Sequence, residues 1–243
     1  MCLPESAHPR STWVPALLVR AAHPRQALLT AVGLSVAAAV SGRSAREVAL
    51  VAVTVLVGQV VLGWDNDLVD EPADRADSRL AKPLVAGGLD RGTLWFALAC
   101  ALLLVVPLSL SSGIAAGLAY LVSLVVGLVG NRFLRTGPLS WLPWAVAFAL
   151  YPAYLSYGGW GGAAHGHPPT VAMTVAAALL GVGVHVLTSL PGLVDDHRSG
   201  RHHLPFRLAV RTGAPRLLVL TSVYCAVLVG VIAVVGGTAG LSQ

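Results

Sequence analysis

Long apolar stretches alternate with short polar ones along the chain, and their lengths dictate the elements. Apolar runs at about 26–41, 47–64, 92–110, 113–130, 139–157, 169–190 and 215–236 are bounded by glycine, proline, serine or charged residues. Each approaches the roughly 20 residues that a helix needs to cross a bilayer core about 30 Å thick, so seven membrane-spanning helices are expected. The first run is short and alanine-rich.

Two polar stretches carry more than turn residues. The first, Gly63 to Asp74, follows directly on the second apolar run, and six of the chain's eleven acids lie between Asp65 and Asp77. A charge at bilayer depth costs roughly 2.5–3.5 kcal/mol on insertion scales, so acids at the end of an apolar run need a reason. Asn66, Asp70 and Asp74 are spaced i, i+4, i+8. At about 100° per residue they drift by only about 80°, so a helix presents all three on one face. Oxygen ligands converging from one face suit a hard cation such as Mg²⁺, which bridges carboxylates to phosphates. The plain alternative is an acidic, solvated helix end. The second stretch, Leu190 to Pro205, again sets acids, Asp195 and Asp196, at the end of an apolar run, with His197 and Arg198 beside them.

Composition narrows the class. With 56% hydrophobic and 11% charged residues and a mean hydropathy of +0.75, the chain cannot cover itself with a water-compatible surface. It reads as a single integral membrane domain over residues 1–243, with residues 1–25 as a cytoplasmic tail and no cleavable signal segment. Cys2, Cys100 and Cys225 form neither a disulfide framework nor a metal spacing. The net charge of +5 comes from residues scattered between spans, which argues for membrane orientation and against nucleic acid. If the N-terminus is cytoplasmic, fourteen of the sixteen Lys and Arg residues fall inside, leaving Arg43 and Arg46 outside. Both acidic stretches then share the cytoplasmic face. Acidic helix ends flanked by basic side chains make a site for a metal-bound anionic headgroup.

Those residues carry a resemblance. Asn66-Asp67-x-x-Asp70-x-x-x-Asp74, followed by Lys82-Pro83-Leu84 and Gly87, resembles the first aspartate-rich motif of the UbiA superfamily of intramembrane prenyltransferases. Leu190-Pro191, Asp195-Asp196, Gly200 and Leu204-Pro205 resemble its second motif, and Asn131-Arg132-x-Leu134-Arg135 through Pro143 its connection between the fourth and fifth helices. The resemblance covers roughly residues 16–237. It implies an all-α polytopic bundle with a central cavity capped by cytoplasmic loops. The implied chemistry is ionisation of a polyprenyl diphosphate with Mg²⁺ and transfer of the allylic group to an acceptor, often aromatic, within the lipid bilayer. It also implies roles: Asn66, Asp70 and Asp74, with Asp67 beside them, for one Mg²⁺; Asp196 with Asp195 for a second; Arg79, Lys82, Arg132, Arg135, Arg198 and Arg20 for the diphosphate.

Two departures stand out. The family pattern has aspartates four apart in the second motif, and the position four before Asp196 is Gly192. The family usually has nine spans and seven are counted here, so either a naturally shortened member or a truncated fragment is expected.

An apolar bundle excludes water that would quench a carbocation. Trp144, Phe148, Tyr151 and Tyr154 can offer ring faces to the cation, at about 0.5–2 kcal/mol each, although packing or an interfacial belt explains them as well. His185, eleven residues before Asp196, returns to nearly the same helical face and is either cavity-lining or a packing residue. A membrane terpene cyclase would use the same metal site, and a degenerate, non-catalytic member remains open. The Asp-Gly-x-x-Ala-Arg run that a CDP-alcohol phosphotransferase would need is absent.

Overall fold

The computed structural model describes residues 13–77, 82–158, 168–198, 200 and 202–238, with the backbone alone at 195, 198, 237 and 238. All regular structure among them is helical. In chain order the helices are α1 (Val14–Ala21), α2 (Pro24–Val40), α3 (Ala45–Ala76), α4 (Arg91–Leu110), α5 (Ile114–Val129), α6 (Leu142–Tyr157), α7 (Val171–Ser189), α8 (Leu193–Arg198), α9 (Leu204–Thr212) and α10 (Ala214–Thr238). The seven expected spans correspond to α2 to α7 and α10. Five helical segments are long and apolar enough to cross a membrane: α3, α4, α5 with its extension, α7 with the turn after it, and α10. At about 1.5 Å per residue, the 17 residues of α2 and the 16 of α6 span only about 24–26 Å.

The helix that positions the site is α3. Ser44 caps it by accepting the Glu47 N–H, while the Glu47 carboxylate accepts the Ser44 N–H at 2.9 Å, so two orphan donors are satisfied at once. Its 32 residues reach about 48 Å, well beyond a hydrocarbon core. The apolar run fills the first part, and the acids ride on the continuation. Pro72 lacks the N–H that would bond Leu68, yet the helix runs through it to Ala76. The acidic stretch is therefore a helical face, as its spacing predicts.

Successive helices pack in chain order from α2 to α7, α3 also touches α5, and α10 lies on α7. The segment expected as a tail departs from that expectation. Residues 14–21 form α1, whose Leu17 and Ala21 are buried, and Trp64 Nε1 donates to the Leu18 carbonyl at 2.9 Å. The corner between α1 and α2 closes on α3 at Gly63, where an added Cβ would lie 2.7 Å from the Ala22 backbone. Only glycine admits that approach. His23 turns the corner in the left-handed region, at φ 51°, and Pro24 opens α2 with its φ already fixed.

At its other end, α5 does not stop where the apolar run stops. It widens into one turn of π-helix, Gly130–Leu134, which aims Asn131 and Arg132 at α3.

Candidate functional site at the α3 and α8 ends

The ends of α3 and α7–α8 open on one cavity of about 330 Å³. Its walls come from the α1–α2 corner, α3, the π-helical turn, α6, α7 and the α8–α9 segment, with no lining residue from α4 or α10. Asn66, Asp70 and Arg135 line it from one side, and Gly192, Asp196 and His203 from the other. The apolar wall is aromatic. Rings follow one another from His185 to Trp144 (5.4 Å between centroids), Phe148 (6.4 Å) and Tyr151 (5.1 Å), all four lining the cavity.

Asp65, Asp67, Asp70, Glu71 and Asp74 are all buried, and each meets a cationic side chain. Burying a carboxylate costs several kcal/mol, which only close, well-bonded partners offset. The partners divide the acids into two groups. Asp65 points to the π-helical turn, where Arg132 Nη1 donates to it at 2.9 Å and Asn131 Nδ2 at 3.2 Å. Glu71 points to the opening of α4, taking Arg75 at 2.8 Å and Arg91 at 2.5 Å; Arg75 also holds the Leu84 carbonyl at 3.2 Å. These two acids fasten helices and loops together.

The other three converge near the cavity. The Lys82 ammonium lies 2.9 Å from Asp67, 3.8 Å from Asp70 and 2.7 Å from Asp74. Asp67 also meets His23 Nε2 at 3.0 Å, and Asp70 pairs with Arg135. Among the described residues no three Asp, Glu, His or Cys side chains already converge on a common metal position. The α3 carboxylates instead surround an ammonium, a cation held in their midst.

Across the cavity, α8 brings Asp196 to His203. Asp196 Oδ2 accepts from His203 Nε2 at 2.8 Å, and His203 Nδ1 accepts the Phe206 N–H at 3.2 Å as the cap of α9. Below them, Ser140 Oγ accepts the Leu204 N–H at 3.2 Å and lies 3.0 Å from His185 Nε2.

The expected site residues thus fall into distinct places. Asn66, Asp70, Asp196, Arg135, His185 and Tyr151 line the cavity, while Asp67, Asp74 and Lys82 stand just behind that lining. Arg132 is turned to Asp65, and Arg20 sits exposed in the last turn of α1, so neither lines the cavity. Tyr154 does not line it either, a correction to the sequence expectation. Tyr120 reaches in from α5 between the two tyrosines, leaving Tyr154 1% exposed with its hydroxyl 3.4 Å from that of Ser112. Arg79 and the side chains of Asp195 and Arg198 lie outside the described residues.

Sequence reasoning missed His23, His203 and the pairing of Asp65. Position before Pro24 and before Leu204-Pro205 was a signal that both histidines stand at helix starts, where His203 alone caps with its side chain, but nothing local named their acidic partners.

The bundle has solved counterparts. A UbiA homologue from Archaeoglobus fulgidus bound to GPP and Mg²⁺ superposes with a TM-score of 0.68 at 20% identity, over 90% of this chain and 77% of that one. The homologue from the same organism bound to Cd²⁺ superposes with a TM-score of 0.67 at 19% identity, over 92% and 79%. No curated protein matches the sequence. The profile of the UbiA prenyltransferase family matches residues 27–242, nearly the whole of a multi-pass helical chain with acidic helix ends on one cavity, and the chain belongs to that family.

Proposed function

We propose that the chain transfers a prenyl group from a prenyl diphosphate to an acceptor within the membrane, with Mg²⁺ at the α3 end. The observation that carries this reading is the α3 face itself: Asp67, Asp70 and Asp74 gathered around Lys82, beside Arg135, at the edge of an aromatic-walled cavity. Three carboxylates that accommodate an ammonium in their midst have the donor set and charge for a hard divalent ion, so the residues fit the group. Asn66, Asp67, Asp70 and Asp74 would hold it. When bound, Mg²⁺ supplies positive charge that stabilises the departing diphosphate.

The remaining work belongs to the chain's own side chains. Lys82 and Arg135 bring two further positive charges to phosphate oxygens, Arg135 with the planar fork that matches them. The cavity wall from Trp144 to Tyr151 keeps water from the reactive carbon and presents ring faces to it. Family membership and the fold shared with the GPP-bound homologue support a prenyl diphosphate as donor. The uneven distribution of Lys and Arg supports a cytoplasmic N-terminus and cytoplasmic acidic ends.

The test is diphosphate release from a panel of C10 to C50 prenyl diphosphates by the purified chain, with Asp70→Ala as control. Release that requires Mg²⁺ and is lost in the variant is the expected result; no release from any donor would sink the reading. Omitting acceptor and searching the products for cyclised hydrocarbon distinguishes transfer from cyclisation.

A further inference from the structure

The cavity has a floor as well as walls, and three tyrosines make it. On α3 the lining runs from Asp70 back to Gln59, on α6 from Pro143 to Tyr151, and on α2 it ends at Thr30. One turn further into the bundle the lining stops. Val55 on α3, Tyr154 on α6 and Tyr120 on α5 are at most 2% exposed there and fill the interior. Tyr120 stands between the other two rings, 6.5 Å from Tyr151 and 5.0 Å from Tyr154 between centroids.

Helix α3 is shaped to hold that stack. Tyr120 Oη donates to the Val55 carbonyl at 3.3 Å, and a Cβ built at Gly58 would fall on the same hydroxyl. Glycine at 58 thus lets the phenol lie against the α3 backbone. On the far side of Tyr154 is a separate void of about 20 Å³, lined by Arg43 and Glu47. The tyrosines are therefore a partition between the cavity and the other end of the bundle.

Depth can be set against chain length. From Asp70 to Gln59, α3 advances eleven residues, about 16 Å at 1.5 Å per residue. An isoprene unit adds four carbon–carbon bonds of about 1.5 Å, so it advances about 5 Å when extended. A donor with its diphosphate among Asp70, Lys82 and Arg135 therefore brings about two to three units to the tyrosines. The next unit meets closed packing.

We propose that this floor selects short donors, C10 to C15, with Tyr151 meeting the end of the chain and Tyr120 and Tyr154 fixing Tyr151 from behind. The proposal rests on the prenyl-transfer reading above and names the donor class for the same cavity.

Binding of the C5, C10, C15 and C20 prenyl thiolodiphosphates, which resist ionisation, tests it. Each is titrated by calorimetry into the purified full chain in detergent with Mg²⁺. An enclosed unit should tighten Kd by about tenfold or more, so affinity is expected to climb from C5 and to reach its limit at C10 or C15. Tyr151→Ala opens the floor and is expected to make C20 about tenfold tighter than C15. Tyr151→Leu, which keeps an apolar side chain there, should move the limit the same way and serves where the alanine variant unfolds. A tightest ligand of C5 or C20 in the unaltered chain overturns the proposal and leaves the prenyl-transfer reading standing. No binding of any analogue overturns both. An unmoved limit in a folded Tyr151 variant also overturns the proposal.

Discussion

The end of α3 and the end of α8 face each other across one cavity and are furnished differently. From α3, three carboxylates converge on Lys82, with Arg135 and His23 beside them, and two further acids bind the neighbouring elements through arginine. From α8, the one carboxylate whose side chain is described, Asp196, meets the imidazole of His203. The difference separates two uses of a buried acid. Where an arginine from another element is the partner, as Arg132 is for Asp65 and Arg91 for Glu71, the acid is a fastening. Where the partner is a flexible ammonium on a loop, as for Asp74, the same residue type is suited to exchanging its cation for a ligand.

The sharpest way to break that distinction is to remove a fastening. Arg132→Ala leaves Asp65, fully buried, without its guanidinium, and breaking a buried pair this way costs about 3–5 kcal/mol. Thermal unfolding in detergent should show that loss, with donor KM little changed in protein that stays folded. A raised KM at unaltered stability would make Arg132 a diphosphate ligand instead. Next comes the exchanging group. Asp74→Ala should slow diphosphate release by about 10²–10³-fold, and Asp196→Ala by at least tenfold less. Equal losses would mean that the two ends contribute alike. Arg135→Ala removes one charge-assisted contact and should raise donor KM about 10–100-fold, with stability less affected than in Arg132→Ala. The smallest effect is expected from Tyr154→Phe, which removes a hydroxyl bonded only to protein and should cost about 0.5–1.5 kcal/mol of stability, with donor KM and turnover unchanged. A changed donor preference in this variant would put Tyr154 back in the cavity wall.

The fold was legible because its determinants are local. Apolar run length sets each span, and Pro24, Ser44, Asp90 and Thr170 mark helix starts within a residue or two of where the runs begin. The face of Asn66, Asp70 and Asp74 was legible for the same reason, since a helical period relates them. What could not be read were pairings set by the register of different helices. Asp65 and Arg132 are 67 positions apart, and only the π-helical turn after α5 brings them together. Tyr151 and Tyr154 look alike in the sequence, and it is Tyr120 from α5 that separates one from the cavity. The bond between Asp196 and His203 spans only seven residues, yet it depends on the α9 cap, which no hydropathy pattern reveals.

The ring sequence along the cavity also makes the protein its own optical probe. Among the described tryptophans, Trp144 alone lines the cavity, stacked on His185 with Phe148 on its other flank. A hydrocarbon chain entering there replaces water against the indole, so its emission should shift toward the blue as the cavity fills. The difference spectrum between the unaltered chain and Trp144→Phe isolates that signal from the other indoles. Occupancy of the prenyl site can then be titrated without a label and without turnover.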